Sequence, residues 1–193
     1  MQINDEQLID APREKVYAAL NDPAILKKAI PGCQELDKKS DTEMTATVVL
    51  KIGPVKAAFD GEVQLSDLRP PSSYTITGKG SSGASGHASG TAKVTLEERD
   101  DGGTLLRYEV TAKLGGQLAQ LGARMLQGTA KKLARKFFAA LSEELGGAPA
   151  PATKADRKAE KKKAKEKPIA TVEWVIGGLL VAAVLAAIIY SNV

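Results

Sequence analysis

Between residues 43 and 112 apolar and polar positions alternate with a period of two, the signature of strands that bury one face. In 43–52 one face carries Met44, Ala46, Val48, Leu50 and Ile52. Gly53-Pro54 turns the chain, and the next strand presents Val55, Ala57, Phe59, Gly61, Val63 and Leu65, with Lys56, Asp60, Glu62 and Gln64 opposite. Pro70-Pro71 ends that strand, because proline has no N–H for a ladder. Residues 74–80 set Tyr74, Ile76 and Gly78 on one face, and 88–96 set Ala88, Gly90, Ala92, Val94 and Leu96. Asp101-Gly102-Gly103 is a hairpin signal, after which Leu106, Tyr108, Val110 and Ala112 alternate again.

From residue 116 the period changes. Leu118, Leu121, Met125, Leu126, Leu133, Phe137, Leu141 and Leu145 fall at helical spacing, which predicts one long C-terminal helix over 116–145. Residues 117–145 as a helix span roughly 43 Å. Arg124, Lys131, Lys132, Arg135 and Lys136 occupy its other sides, and Gly146-Gly147 stops it. At the other end, residues 2–9 read as a short strand. Pro12 opens a helix over 13–20, and Asp22-Pro23 opens another over 24–29. The predicted order is a strand, two small helices, several antiparallel strands and a long helix. An antiparallel sheet with one solvated face must cover the other, and only the last helix is long enough to do so. The fold class is therefore α+β, a helix-grip architecture with a curved sheet wrapped around the C-terminal helix.

The inward strand positions are small: Ala57, Gly61, Gly78, Ala88, Gly90, Ala92 and Ala112. Gly122 and Gly128 interrupt the helical stretch, each costing about 1 kcal/mol relative to alanine. Two readings stand side by side. These positions admit close packing and sheet curvature, or they leave room for a ligand between helix and sheet. On the second reading the wall is Phe59, Gly61, Val63, Leu106, Tyr108, Leu118, Leu121, Gly122, Met125, Leu126 and Gly128.

Composition narrows the chemistry. The net charge of +4 over 193 residues belongs to the end of the chain. Residues 154–167 hold eight Lys or Arg against three Asp or Glu, whereas the first 153 carry 19 of each sign. A nucleic-acid partner is not expected of a neutral domain. Cys33 and His87 are each alone, which excludes a disulfide framework, cysteine-built metal sites and most nucleophile–base pairs. His87, Asp60, Glu62 and Glu109 take outward positions by the alternation, so an enzyme is not expected.

The first residues, Met1-Gln2-Ile3-Asn4-Asp5-Glu6, show no basic region and no apolar run, so the domain is expected to stay in the cytoplasm. Residues 147–168 read as a flexible basic linker. Residues 169–190 are apolar except for Thr171 and Glu173, bracketed by Trp174 and Tyr190, and predict a transmembrane tail anchor with the lysine cluster on the cytoplasmic side. The expected organisation is a folded domain over 1–146, a linker and a single-pass membrane tail.

Several stretches carry a resemblance: Val16-Tyr17-Ala18-Ala19-Leu20-Asn21-Asp22-Pro23, Ile30-Pro31-Gly32-Cys33, Lys51-Ile52-Gly53-Pro54-Val55-Lys56, Phe59-Asp60-Gly61, residues 86–90 and 115–122, and Lys136-Phe137-Phe138. Together they resemble the carbon monoxide dehydrogenase G-subunit (CoxG) family of START-like (SRPBCC) domains, over about residues 1–146. The resemblance implies a helix-grip fold whose relatives hold apolar ligands, and association with a molybdenum-containing carbon monoxide dehydrogenase or another molybdenum hydroxylase. The chain itself holds no cofactor-ligand set, so no intrinsic cofactor is expected. The expectation is a membrane-tethered accessory subunit that recruits the dehydrogenase to the cytoplasmic membrane. It would bind a lipophilic ligand, a respiratory lipoquinone such as menaquinone, and deliver it as electron acceptor. The alternatives are a purely structural anchor with a filled core, and a general lipid-binding module.

Overall fold

The structure, a computed structural model, describes residues 1–147; the linker beyond Gly147 and the predicted tail lie outside the described residues. Among the described residues no helix is long and apolar enough to cross a membrane.

The chain runs β1 (Gln2–Ile9), α1 (Arg13–Ala19), α2 (Pro23–Ala29), β2 (Cys33–Lys38), β3 (Glu43–Ile52), β4 (Val55–Arg69), β5 (Ser73–Ser81), β6 (His87–Glu98), β7 (Thr104–Gly115) and α3 (Ala123–Glu144). The seven strands form one antiparallel sheet in the order β1-β7-β6-β5-β4-β3-β2. Every neighbour but one is joined by a hairpin. The exception is the first strand, which crosses to pair with the last, Ile3 opposite Val110 and Ile9 opposite Thr104.

The alternation predicts the buried face of each long strand. Met44, Val48, Leu50 and Ile52 of β3 are buried, as are Val94 and Leu96 of β6 and Leu106, Tyr108 and Val110 of β7. Strand β2 went unread in the sequence. Its burial alternates weakly, and its pairing with β3 shifts register between Cys33 and Glu35. An edge strand with a bulge loses the period-two signal. The two small helices form as predicted. Asp22 caps α2, its carboxylate accepting from the backbone N–H of Ala24 at 2.8 Å and of Ile25 at 3.4 Å, with Pro23 in the first turn.

The C-terminal helix differs from its prediction. Residues Gly116–Leu121 form a 3-10 turn, and α3 begins only at Ala123, because Gly122 sits at φ +75° and breaks the helix. The apolar spacing continues across the break, which concealed it. Gly128 is within α3 but exposed, and a Cβ added there meets nothing within 4 Å. Neither glycine therefore marks close helix–sheet packing, and neither adjoins an internal space.

From there α3 lies over the concave face with Leu126, Ala130, Leu133, Phe137, Phe138 and Leu141 buried. Its far end is tied to the α1–α2 segment: Lys15 Nζ donates to the Leu145 carbonyl at 3.0 Å, and Lys28 pairs with Glu144 at 2.7 Å.

Candidate functional site

Between α2, the C-terminal half of α3 and the concave sheet lies an apolar cavity of about 120 Å³. Its floor is a block of inward strand residues: Met44 and Ala46 on β3, Val63 and Leu65 on β4, Tyr74 and Ile76 on β5, Ala92 and Val94 on β6, and Leu106, Tyr108 and Val110 on β7. Phe137 and Phe138 form the roof. Leu20, Leu26, Ile30 and Leu36 close the side formed by α1, α2 and β2, with Leu26 and Leu36 only half-buried.

Ring contacts hold the aromatic part of this wall in place. Tyr108 stacks on Phe138 with centroids 5.7 Å apart, and Phe138 meets Phe137 edge-on at 5.2 Å. Tyr74 meets the half-buried Tyr17 of α1 edge-on at 5.6 Å. Such arrangements suit aromatic quadrupoles.

The polar groups of the cavity are few. No Lys, Arg, His, Asp or Glu lines it; its polar side chains are Thr45, Tyr74 and Tyr108. Both tyrosines are almost wholly buried, and neither hydroxyl is hydrogen-bonded to another described residue. Each hydroxyl is therefore free to donate to the acceptor of a bound molecule. Burial pushes both hydroxyls well above the ordinary tyrosine value; Tyr17 adds to the effect at Tyr74, and Asp5 at Tyr108. Each stays a neutral O–H donor across the physiological range.

The sequence-predicted site residues separate into two groups. Val63, Leu106 and Tyr108 line the cavity. Phe59, Leu118 and Leu126 are buried in the core without lining it, and Leu121 is half-buried near the break before α3. Met125 is 46% exposed and lies against Gly53 at the β3–β4 turn. Gly122 and Gly128 are exposed. Gly61 lines a different feature, a shallow polar groove of about 390 Å³ around β2–β5. There Asp60 accepts from Thr47 Oγ1 at 2.8 Å and Glu62 pairs with Lys79 at 2.8 Å.

The predicted wall lacked most of the strand floor (Met44, Ala46, Leu65, Tyr74, Ile76, Ala92, Val94 and Val110), although the alternation marks these positions as inward, and it lacked the residues of α1, α2 and β2 altogether. Their signal is weak: Leu26 and Ile30 share a helical spacing of four, but the segment is too short to stand out. Phe137 and Phe138 were visible as helix positions; their place over the cavity depends on where α3 breaks.

Other reactive types are spent locally. The Cys33 thiol donates to the Glu35 carbonyl at 3.3 Å, and burial raises its pKa while nearby Lys27 opposes. His87 is exposed and packs over Gly115, its cross-strand partner, where a side chain would collide with the imidazole. Among the described residues no group of three or more His, Cys, Asp or Glu side chains is placed to hold a metal ion.

A curved antiparallel sheet closed by a C-terminal helix over an apolar cavity defines the START-like class of domains. Solved structures share it. A START superfamily protein from Mycobacterium smegmatis superposes with a TM-score of 0.59 at 10% identity, covering 75% of this chain and 97% of that one. A protein from Thermus thermophilus gives 0.57 at 17% identity over the same shares. A conserved protein from Geobacillus kaustophilus is 31% identical, with a TM-score of 0.72 and coverage of 76% of this chain and 95% of that one. No curated protein matches the chain. The family model for the G-subunit of carbon monoxide dehydrogenase (CoxG) matches residues 6–146. The chain belongs to the CoxG family.

Proposed function

We propose that this chain is an accessory subunit that holds a neutral lipophilic ligand bearing carbonyl acceptors, a respiratory lipoquinone such as menaquinone, and presents it to a carbon monoxide dehydrogenase or a related molybdenum hydroxylase. The observation that carries this reading is the cavity's chemistry: apolar walls, two unpartnered tyrosine hydroxyls and no charged side chain. A fatty acid or phospholipid brings an anion, for which this wall offers no cation. A quinone brings two neutral carbonyls, which tyrosine hydroxyls satisfy.

Size sets a further condition. An apolar cavity of about 150 Å³ accepts one benzene ring, so about 120 Å³ holds roughly one ring. A fused-ring quinone therefore requires the wall of Leu26, Ile30 and Leu36 to yield, and the isoprenoid tail extends beyond it. Exposing that tail to water costs about 0.8 kcal/mol per CH₂-sized group. Transfer from a bilayer is then feasible only at the membrane itself. The apolar run over 169–190 supplies such a tether on this reading, with the folded domain on the cytoplasmic side. On this reading the chain carries the acceptor and leaves the electron transfer to its partner.

The test is to purify the full chain and analyse its organic extract by mass spectrometry. A quinone in stoichiometric amount is expected, with affinity weakened roughly thirtyfold in the Y74F/Y108F double variant, since two neutral hydrogen bonds contribute about 1 kcal/mol each. Supplying the loaded chain to the dehydrogenase with carbon monoxide should bleach the quinone absorbance. Recovery of phospholipid or fatty acid instead assigns a general lipid module, and an empty extract leaves a structural anchor.

A further inference from the structure

A second surface stands apart from the cavity. Arg124, Lys131, Lys132, Arg135 and Lys136 are all exposed on α3, and no Asp or Glu occurs between Glu109 and Glu143. Lys131 and Arg135, and likewise Lys132 and Lys136, are like charges four residues apart, an arrangement that weakens a helix. The helix from residue 124 to 136 spans roughly 18 Å.

At its N-terminal end the charge continues onto the sheet. Met125 rests against Gly53, so α3 meets the β3–β4 turn there. Lys51 and Lys56 flank that turn as direct cross-strand partners, both exposed. Like charges placed opposite one another on a sheet are also unfavourable. Among the described residues none of Lys51, Lys56, Arg124, Lys131, Lys132 and Lys136 forms an ion pair. Repulsion is thus concentrated on one side of an otherwise neutral domain. Beside it are exposed apolar groups, Met125 at 46% and Pro54.

We infer that the α3 face and the β3–β4 turn dock the domain on an anionic lipid surface. Flexible cations around a small apolar tip are what an interfacial contact uses: the stems pack on the acyl boundary while the charges reach the headgroups. The composition favours lipid over an acidic protein. Lysine outnumbers arginine here, and lysine is depleted at protein interfaces, where arginine's fixed fork is preferred. A mobile field of lipid charges demands no such geometry. The run of eight cations over 154–167 follows α3 in the same chain and prefers the same surface. This contact is independent of which ligand the cavity takes.

The test uses the full chain with the tail tryptophan removed and one introduced at the tip, W174F/M125W. It is mixed with vesicles whose acyl chains carry bromine, a contact quencher of tryptophan. Quenching is expected with mixed phosphatidylcholine–phosphatidylglycerol vesicles, weak with phosphatidylcholine alone, and reversed by high salt. Adding K131E/K132E/K136E should weaken the salt-sensitive quenching at least about tenfold. K131Q/K132Q/K136Q replaces that variant if its thermal midpoint falls. Equal quenching in both lipids, or none in either, overturns the inference. So does quenching that survives the substitutions while capture of the partner oxidoreductase is lost, which would assign the face to protein.

Discussion

Tyr108 of the last strand stacks on Phe138 of the final helix, ring centroids 5.7 Å apart and planes inclined by 30°. This pair joins the floor of the cavity to its roof. It places a neutral hydroxyl donor beside the aromatic surface that a flat ligand would share.

Truncating the roof should empty the site and weaken the fold. Phe138→Ala is expected to cost about 3–5 kcal/mol, the range for a buried aromatic whose neighbours relax only partly. Tyr108→Phe keeps the stack and removes a hydroxyl that has no protein partner, so its cost should stay within about 1 kcal/mol. Chemical denaturation of both variants checks the difference. A Tyr108→Phe loss as large as that of Phe138→Ala would mean that the hydroxyl is used by the fold.

Alkaline pH should expose the buried tyrosines. Burial raises the Tyr74 pKa above its ordinary value of 10.0, so the folded state keeps a proton that the unfolded chain releases. Stability from this group is present below pH 10 and falls as pH rises beyond it. The slope of stability against pH above 10 should be shallower in Tyr74→Phe. Equal slopes would place that hydroxyl in contact with water.

The two helix glycines should respond in opposite directions. Gly128→Ala meets open space within a regular helix and should stabilise by up to about 1 kcal/mol. Gly122→Ala places a side chain at φ +75° and should destabilise by about 1–2 kcal/mol. Thermal melts of the pair decide this; the same sign for both would remove the break before α3.

Thr104 is fully buried, and its hydroxyl donates to the Ala11 carbonyl at 2.6 Å, fastening β7 to the start of α1. Thr104→Val keeps the shape and leaves that carbonyl unpaired, so a loss of about 1–3 kcal/mol is expected. Thr104→Ser should retain most of the stability; if it fails as Val does, packing of the methyl group is the cause.

The sequence by itself determined which strand residues face inward, the two small helices and the α+β class, because those properties follow local periods: two along a pleated strand and 3.6 along a helix. Val63, Leu106 and Tyr108 were legible as wall residues for that reason. Only the tertiary structure decided where the empty space lies. Gly122, read as one more helical position, sits at a positive φ that periodicity does not register, and the break it makes governs which side chains of α3 reach the sheet. The space is closed by Phe137 and Phe138 together with Leu20, Leu26, Ile30 and Leu36, residues from two ends of the domain's sequence. A cavity is what several elements jointly fail to fill, and that shortfall depends on how α2, β2 and α3 meet rather than on the pattern within any one of them.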